Sequence, residues 1–363
     1  MKDSQSPGFR PFRVVDKVRE SATITSFHLE PVNPQDWLPF EAGQFLILRV
    51  PHGSGHALRN YTVSSSPLDL GRYRITVKRE AAPSGDLPQG LSSNWLHDHI
   101  NPGDEVEIQG PRGGFKLDRD STRPVLLMSG GVGLTPMAAM LNTLAETSDR
   151  PVWFIHACDS HDVHALRTEV AALAARRPGI HVHYCYRNPT DADRAGGHHQ
   201  SEGLLTRETL QSILPLDDYE VYLCGPPPFM KAVYGLLTGL GVQKDRIAYE
   251  FFGPASLLSD DAPPPAEAAP PAAVADETDG PMVVLGRSGR SIPWTSGAES
   301  LLSLLEDAGL KPDFSCRAGI CGTCVQKITS GEVEYFEDPL DEPAEGEVLL
   351  CCSRPKTSIV LDL

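Results

Sequence analysis

Four cysteines have the spacing of a metal centre. Cys316, Cys321 and Cys324 follow the pattern Cys-x4-Cys-x2-Cys, and Cys351 lies 27 residues beyond the third. Thiolates at this spacing form the ligand set of a plant-type 2Fe-2S cluster, and the glycines of RAGICGT would let backbone amides approach the inorganic sulfides. A structural zinc site also accepts four cysteines, although zinc sites more often pair two short Cys-x-x-Cys knuckles. The spacing therefore predicts an iron-sulfur cluster, with zinc as the alternative.

The distribution of the cysteines and the first residues indicate a compartment. Five of the eight cysteines fall within the last 48 residues, and the other three are scattered. In a cytosolic chain, such clustering favours a metal site over a disulfide framework. The segment MKDSQSPGFRPF lacks the apolar core of a signal peptide, so we expect a cytoplasmic protein.

Glycines at two strand ends could contact a phosphate. The apolar run PVLLMSGG leads through Gly130, Gly131 and Gly133 into a helical pattern, and a second loop, residues 224–228, reads CGPPP. Glycine at such a turn lets the backbone approach a phosphate, and the following helix offers free amides and a favourable dipole. The same glycines could merely permit tight packing, and Cys224 could be a small buried apolar residue.

A third group of residues could hold an aromatic cofactor. Arg59, Tyr61 and Thr62 lie on one extended run, followed by Lys78 and by GLSSN at residues 90–94. An arginine, a tyrosine and a hydroxyl on one strand could contact a phosphate, a ring face and a ring nitrogen in turn. The alternative is a solvated strand without a ligand.

These residues must be positioned by more than one domain. Up to residue 117, six short runs alternate apolar and polar positions, which predicts an antiparallel barrel. From residue 123, apolar strands alternate with helical patterns, which predicts a doubly wound parallel sheet whose ligand lies at the carboxyl ends of the strands. Residues 259–281 hold six prolines, seven alanines and six acids, so they should form an extended tether. We expect domains at residues 8–118, 119–258 and 282–363.

The charge and hydropathy exclude two classes of partner. The net charge is -16, whereas sequence-independent binding to nucleic acid needs a basic surface that neutralises phosphates. The sequence contains no run of 18 apolar residues and no polybasic stretch, so it predicts neither a transmembrane helix nor a membrane-surface anchor. We therefore expect neither nucleic acid nor membrane as a partner.

In order and spacing, the motifs resemble those of the ferredoxin-NADP reductase superfamily. The similarity rests on Arg59-x-Tyr61-Thr62, on the loop of residues 130–136 and on residues 224–226. It is closer still to the reductase module of flavohemoglobins, through VKRE, SSNWLHDH, DVHAL, DADRAGG, SEGLL, YLCGP and YEFFGP. Flavohemoglobins also carry a globin domain, and none fits this sequence, so nitric oxide dioxygenation is not expected.

The resemblance implies a flavin on the barrel. Arg59 would contact the flavin phosphates, and Tyr61 would pack on the isoalloxazine. Thr62 stands where the family usually has serine, and its hydroxyl would face the ring nitrogen that receives hydride. A pyrophosphate held by residues 90–93 favours FAD over FMN. The implied flavin-binding residues are Arg59, Tyr61, Thr62, Lys78, Gly90, Ser92 and Ser93.

The resemblance also implies NADH or NADPH on the parallel sheet. Phe252 would cover the flavin ring near the nicotinamide, with Glu250 close by, and Phe251 stands where flavohemoglobins often have a smaller residue. No cluster of bases for a 2'-phosphate stands out, so the choice between the two donors stays open. The implied nicotinamide-binding residues are Gly130, Gly131, Gly133, Thr135, Pro136, Cys224, Gly225, Pro226 and Phe252. The implied catalytic residues are Thr62, Cys224, Glu250 and Phe252.

The last 82 residues resemble plant-type ferredoxins and the ferredoxin domains of oxygenase reductases. This likeness implies an α+β domain of the β-grasp type. It aligns Cys351 with the fourth cluster ligand of ferredoxins and leaves Cys352 as a neighbour.

The domain order resembles that of reductase components of two-component, often Rieske-type, oxygenase systems. Nicotinamide gives up two electrons as a hydride, a 2Fe-2S cluster accepts one at a time, and a flavin can hold zero, one or two. We expect an NAD(P)H oxidoreductase that passes electrons through FAD and the cluster to a protein acceptor such as an oxygenase component. The alternatives are another acceptor, such as a hybrid-cluster protein, and a redox-sensing or zinc-ribbon binding module.

The tether yields a first testable prediction. If the ferredoxin domain swings between the flavin and a partner, shortening residues 259–281 to about five residues should slow electron delivery and leave flavin reduction intact. The measurement is turnover with an acceptor beside stopped-flow flavin reduction. Equal turnover of the two lengths would contradict the swing.

Two groups of ionisable residues have no assigned role. The acids of residues 332–347 form either a solvated face or a docking patch for a basic partner, where charge would raise association rates. Five histidines show no metal-ligand spacing, and we expect them on the surface or in loops. They are His156, His161, His164, His198 and His199.

Overall fold

The chain divides into two compact units, Met1–Phe252 and Gly253–Leu363. The computed structural model describes residues 8–52, 55–80, 91–252, 280–295, 298, 300–310, 312, 314, 319, 324–336, 339 and 342–363. Apart from its last two residues, the predicted tether lies outside these ranges. Within them, no helix combines the length and the apolar character that a membrane crossing requires.

Six antiparallel strands form the first domain. They are β1 (Arg10–Arg19), β2 (Ile24–Pro31), β3 (Phe45–His52), β4 (Gly55–Thr62), β5 (Tyr73–Lys78) and β6 (Glu105–Arg112), with helix α1 (Leu91–His99) between the last two. The strand order is β4-β3-β6-β1-β2-β5, and a bridge between Val63 and Ile75 joins the outer strands, so the sheet closes into the predicted barrel. Alternating apolar side chains such as Phe12 and Phe27 fill its interior.

A parallel sheet with helices forms the second domain. Its elements are β7 (Val125–Gly130), α2 (Leu134–Thr147), β8 (Val152–Cys158), α3 (Arg167–Arg176), β9 (Ile180–Tyr186), α4 (Asp191–Gly196), β10 (Ser201–Glu202), α5 (Arg207–Ile213), β11 (Glu220–Gly225), α6 (Pro227–Gly239) and β12 (Ile247–Phe251). The strand order β10-β9-β8-β7-β11-β12 confirms the doubly wound prediction. Because the chain winds outward from β7 in one direction and returns through β11, a ligand crevice is expected where these two strands end.

The barrel and the parallel sheet share buried contacts. Ile24 of β2 packs in an apolar cluster with Leu134 and Ala138 of α2 and with Ala165 and Leu166 before α3. The backbone N–H of Ala22 also donates to the carbonyl of Asp162 at 2.7 Å. These contacts hold the two domains together independently of any ligand.

In the described residues of the second unit, the elements form a small mixed sheet and one helix. Its elements are β13 (Met282–Leu285), β14 (Ser291–Pro293), α7 (Leu301–Asp307), β15 (Val325–Ser330), β16 (Val333–Tyr335), β17 (Glu347–Leu349), β18 (Ser353–Pro355) and β19 (Ile359–Leu361). The five-stranded sheet has the order β14-β13-β19-β15-β17, and α7 buries four leucines, including Leu301 and Leu305, in its core. The predicted α+β domain is thereby confirmed.

Two of the five histidines are buried. His156 contradicts the expected surface or loop position because it lies within β8, whereas His164 lies in the loop before α3. His156 of β8 and His164 are 1% and 4% exposed. The Nδ1 atom of His156 lies 2.9 Å from the hydroxyl of Ser129, and that of His164 lies 2.8 Å from the hydroxyl of Tyr186. Burial lowers the pKa of both histidines, in the case of His156 to about 4, so they are neutral groups of the core.

Candidate functional site

Three of the predicted catalytic residues meet where the barrel touches the parallel sheet. Thr62 ends β4 and is 5% exposed, and its side chain hydrogen-bonds to the carboxyl group of Glu250. Glu250 of β12 lies in register with Cys224 of β11. The junction therefore brings together a hydroxyl, a carboxyl and a thiol from separate domains.

Burial keeps the carboxyl and the thiol protonated. Burial raises the pKa of Glu250 to about 8, against the opposing effect of the hydrogen bond from Thr62. Burial, together with the nearby Glu250, raises the pKa of Cys224 well above its ordinary value. In the described part of the chain, the Oε2 atom of Glu250 is buried without a hydrogen-bond partner. A neutral carboxyl with one unengaged oxygen is suited to hold a proton beside a bound cofactor.

Tyr61 and the start of α1 form the next part of the barrel surface. The hydroxyl of Tyr61 donates to the Oγ of Ser92 at 2.8 Å, and burial raises the pKa of Tyr61 to about 12, so the phenol stays neutral. Ser93 accepts a hydrogen bond from the backbone N–H of Glu80 at 3.2 Å. Because both serines lie in the first turn of α1, backbone amides are available there for a pyrophosphate. Gly90, predicted for the same role, lies outside the described residues.

The two basic residues of the predicted flavin site differ in their surroundings. Arg59 of β4 is exposed, and its Nη1 atom donates to the carbonyl of Leu58 at 2.7 Å. The Nζ atom of Lys78 lies 3.2 Å from a carboxylate oxygen of Glu80. The exposed guanidinium can therefore contact a phosphate, whereas Lys78 already has a carboxylate neighbour.

Some glycines of the two loops are packed closely against neighbouring atoms, whereas Gly131 has free space at its Cβ position. A Cβ atom at Gly133 would lie 2.3 Å from the carbonyl oxygen of Cys224, and one at Gly225 would lie 2.7 Å from the ring of Phe229. Gly131 has a φ of +53°, and its Cβ position meets no atom within 4 Å. Gly133 and Gly225 thus allow the ends of β7 and β11 to pack together, and Gly131 leaves an open face for a ligand.

A substitution at Gly133 tests this packing. We expect Gly133→Ala to displace the end of β11, to destabilise the protein by about 1–3 kcal/mol and to raise the KM for NADH. The exposed Gly235 of α6 is a matched control, since a Cβ there meets no atom within 4 Å, and Gly235→Ala should stabilise the helix by about 0.5–1 kcal/mol. Thermal unfolding and NADH titration provide the measurements. Equal stability of the two variants would contradict the packing role.

The remaining nicotinamide-site residues surround the same strand ends. Thr135 and Pro136 are buried in the first turn of α2, and the Thr135 hydroxyl donates to the carbonyl of Val132 at 3.1 Å. Pro226 is exposed at the residue before α6. Phe252 follows β12 and is 37% exposed, so its ring is available to a ligand.

Two of the four predicted cluster ligands are described. Cys324 and Cys351 are buried, and Cys316 and Cys321 lie outside the described residues. The backbone N–H of Gly319 donates to the Sγ of Cys351 at 3.3 Å, which is the kind of amide contact that a cluster thiolate requires. A Cβ atom at Gly319, whose φ is +66°, would lie 2.9 Å from the Sγ of Cys352. The buried Cys352 therefore packs against Gly319, and Cys351 accepts the hydrogen bond from the same glycine. In the described ranges alone, no three His, Cys, Asp or Glu side chains are grouped as metal ligands.

An ion pair between the barrel and the parallel sheet is not predicted by any pattern in the sequence. Arg74 of β5 and Glu169 of α3 form an ion pair between the barrel and the parallel sheet, with 2.5 Å between Nη1 and Oε2. Sequence patterns identify neither residue, because an arginine on a strand and a glutamate in the first turn of a helix are both common on surfaces.

Three family matches cover most of the chain. Residues 11–117 match the oxidoreductase FAD-binding domain, residues 127–234 match the oxidoreductase NAD-binding domain, and residues 283–356 match the 2Fe-2S iron-sulfur cluster binding domain. A barrel, a parallel sheet and a small α+β domain with these assignments define an oxidoreductase that uses FAD, a nicotinamide nucleotide and a 2Fe-2S cluster.

Similar proteins agree with this assignment. A flavohemoprotein from Halalkalibacterium halodurans is 42% identical over 264 residues, which are 70% of this chain and 64% of that protein. The FAD/NAD-binding domain of nitric oxide dioxygenase from Vibrio cholerae O1 biovar El Tor is 37% identical with a TM-score of 0.61, over 68% of this chain and all of that one. Phthalate dioxygenase reductase is 28% identical with a TM-score of 0.57, over 98% of both chains. The chain belongs to the ferredoxin-NADP reductase superfamily and carries a C-terminal 2Fe-2S domain. It spans 62–64% of the length of the curated flavohemoproteins that it matches.

Proposed function

We propose that this protein is the reductase component of an oxygenase system of the Rieske type, taking electrons from NAD(P)H and delivering them to a terminal oxygenase. The observation that carries the proposal is the combination, in one chain, of the Thr62, Cys224 and Glu250 junction with a 2Fe-2S domain. Phthalate dioxygenase reductase, which matches over 98% of both chains, is described as a modular structure for electron transfer from pyridine nucleotides to [2Fe-2S]. We propose the domain boundaries 8–118, 119–258 and 282–363 for this arrangement, joined by the tether of residues 259–281.

The barrel residues would bind and orient the flavin. FAD bound there would supply a carrier that can take up two electrons as a hydride and give them up one at a time. The exposed Arg59 guanidinium would pair with the phosphates, and the first turn of α1 would donate amides to them. The neutral Tyr61 phenol, held by its hydrogen bond to Ser92, would present its ring to the isoalloxazine.

The residues of the sheet would orient the nicotinamide and hold a proton. Gly131 would let the backbone approach the pyrophosphate of NAD(P)H. The protonated carboxyl of Glu250, hydrogen-bonded to Thr62, would keep negative charge away from the place where the hydride is transferred. The exposed ring of Phe252 would exclude water from the flavin until the nicotinamide enters.

The cysteines would hold the cluster in the second unit. Cys324 and Cys351, with Cys316 and Cys321 by analogy with plant-type ferredoxins, would supply the four thiolates. The amide of Gly319 would stabilise the charge on the sulfur of Cys351.

Anaerobic purification followed by absorption spectroscopy and assay tests the proposal. We expect FAD and iron in the isolated protein, visible bands beyond those of the flavin, and NAD(P)H-dependent reduction of cytochrome c. Reconstitution with a Rieske-type oxygenase component should support substrate turnover. Turnover with a hybrid-cluster protein or another metalloprotein, and none with oxygenase components, would replace the proposed acceptor. An iron-free protein would overturn the electron route itself.

A further inference from the structure

A partly buried ion pair joins β5 of the barrel to α3 of the nicotinamide domain. The guanidinium of Arg74, a residue of β5 that is 9% exposed, contacts both carboxylate oxygens of Glu169 on α3, at 2.5 and 3.0 Å. This bidentate geometry fixes direction as well as distance between the two groups. The pair therefore constrains how the barrel and the parallel sheet face each other.

On the barrel side, the guanidinium holds the segment that follows Thr62. The Nε and Nη2 atoms of Arg74 donate to the hydroxyl and the carbonyl of Ser64, at 3.1 and 2.6 Å. The Ser64 hydroxyl also lies 2.8 Å from that of Thr76, within the buried face of the strands. Since Ser64 is two residues from Thr62, Arg74 holds the backbone that presents the Thr62 hydroxyl.

On the nicotinamide side, the carboxylate is held by the helix that follows the glycine loop. The side-chain amide of Asn142 donates to the Oε1 atom of Glu169 at 2.7 Å and to the carbonyl of Ala138 at 2.9 Å. Asn142 and Ala138 both belong to α2, which begins directly after Gly131–Gly133. A continuous set of hydrogen bonds thus runs from the strand of Thr62 to the helix of the glycine loop.

We propose that Arg74, Glu169 and Asn142 are positioning residues for hydride transfer. The apolar cluster around Ile24 already attaches the domains, and a partly buried ion pair is by itself weak evidence for stability. What the pair adds is a fixed orientation between the two cofactor-binding segments, and small displacements of reacting groups have large effects on rate. The inference rests on the proposed function, because it assigns these residues to the transfer between nicotinamide and flavin.

Substitution of Glu169 in the full-length protein tests the proposal. Glu169→Gln removes the charge of the carboxylate and keeps the shape of the side chain. Arg74→Lys keeps the positive charge and removes the bidentate contact. We expect each variant to reduce its flavin with NADH about tenfold or more slowly, with an NADH dissociation constant within about twofold of the parent. The deuterium isotope effect with 4-deuterated NADH should rise, since the chemical step then limits the rate more fully.

A matched control and a stability measurement complete the test. Glu146 of α2 forms an exposed ion pair with Arg176 of α3, the two helices that Asn142 and Glu169 also connect. Glu146→Gln therefore removes a charge from the same helix pair without touching the barrel, and we expect it to leave the rate and the isotope effect unchanged. A lower Tm with an unchanged rate of flavin reduction in Glu169→Gln and Arg74→Lys would overturn the positioning role. Failure of the unmodified protein to reduce its flavin would instead overturn the proposed function, which keeps the two outcomes distinct.

Discussion

We expect Cys351→Ser to give a protein that retains FAD but lacks iron, and Cys352→Ser to give one that retains both. The two cysteines are neighbours and both are buried, so the pair of variants separates ligation from packing. The Sγ of Cys351 accepts a hydrogen bond from the backbone N–H of Gly319, and the Sγ of Cys352 lies 3.8 Å from the carbonyl oxygen of Leu349 in the domain core. A thiolate ligand cannot be replaced by an uncharged hydroxyl without loss of affinity for iron.

We expect the rate of electron delivery to an external acceptor to fall when the iron is lost. In Cys351→Ser, we expect cytochrome c reduction to fall more than about tenfold, while NADH still reduces the flavin at the parent rate, because the cluster lies after the flavin in the route. Iron analysis, visible absorption and stopped-flow spectroscopy provide the measurements. Full iron content in Cys351→Ser combined with loss of iron in Cys352→Ser would reverse the ligand assignment, and loss in neither would remove Cys351 from the site.

The rate of flavin reduction should decrease as the pH rises through about 8, and Glu250→Gln should abolish this dependence. Below its folded-state pKa of about 8, Glu250 is neutral, and above it the carboxylate brings a negative charge to the junction with Thr62. In the proposed function, hydride transfer would also bring negative charge into this junction, so the carboxylate form of Glu250 would oppose it. If only the protonated form is active, the rate falls about tenfold per pH unit above that value.

Stability offers an independent check on the same carboxyl. The folded-state pKa of Glu250 is raised above its ordinary value of 4.5, so the folded protein binds one proton more than the unfolded chain between pH 4.5 and about 8. Stability is therefore lost as the pH rises through that interval, and Glu250→Gln, which stays neutral, should have a higher Tm than the parent at pH 8. Glu208 of α5, an exposed glutamate of the same domain, is the control, and Glu208→Gln should keep the parent's pH profile of flavin reduction. A pH profile that survives in Glu250→Gln would contradict the assignment.

Local patterns account for much of this fold. The six alternating runs correspond to β1–β6. At the start of β6 the pattern gives the burial directly, since Val106 is buried between the exposed Glu105 and Glu107, whereas β2 and β5 are buried along most of their length on both faces. The uninterrupted apolar run of β7 corresponds to a strand covered on both faces. The burial of the histidines was less predictable, since His164 is polar and lies in a loop but packs against His156 and against Tyr184 and Tyr186 of β9.

The sequence by itself determined the domain types, the thiolate spacing and the glycine loops, because each depends on residues that are close together in the chain. Only the tertiary structure decided which of these residues meet. The contact between Thr62 and Glu250 spans two domains, and so does the ion pair of Arg74 with Glu169. Such pairs leave no periodic signal, because their partners are about a hundred or more positions apart and are brought together by barrel closure and sheet order. The raised pKa of Glu250 has the same origin, since burial at that junction is a property of the assembled domains.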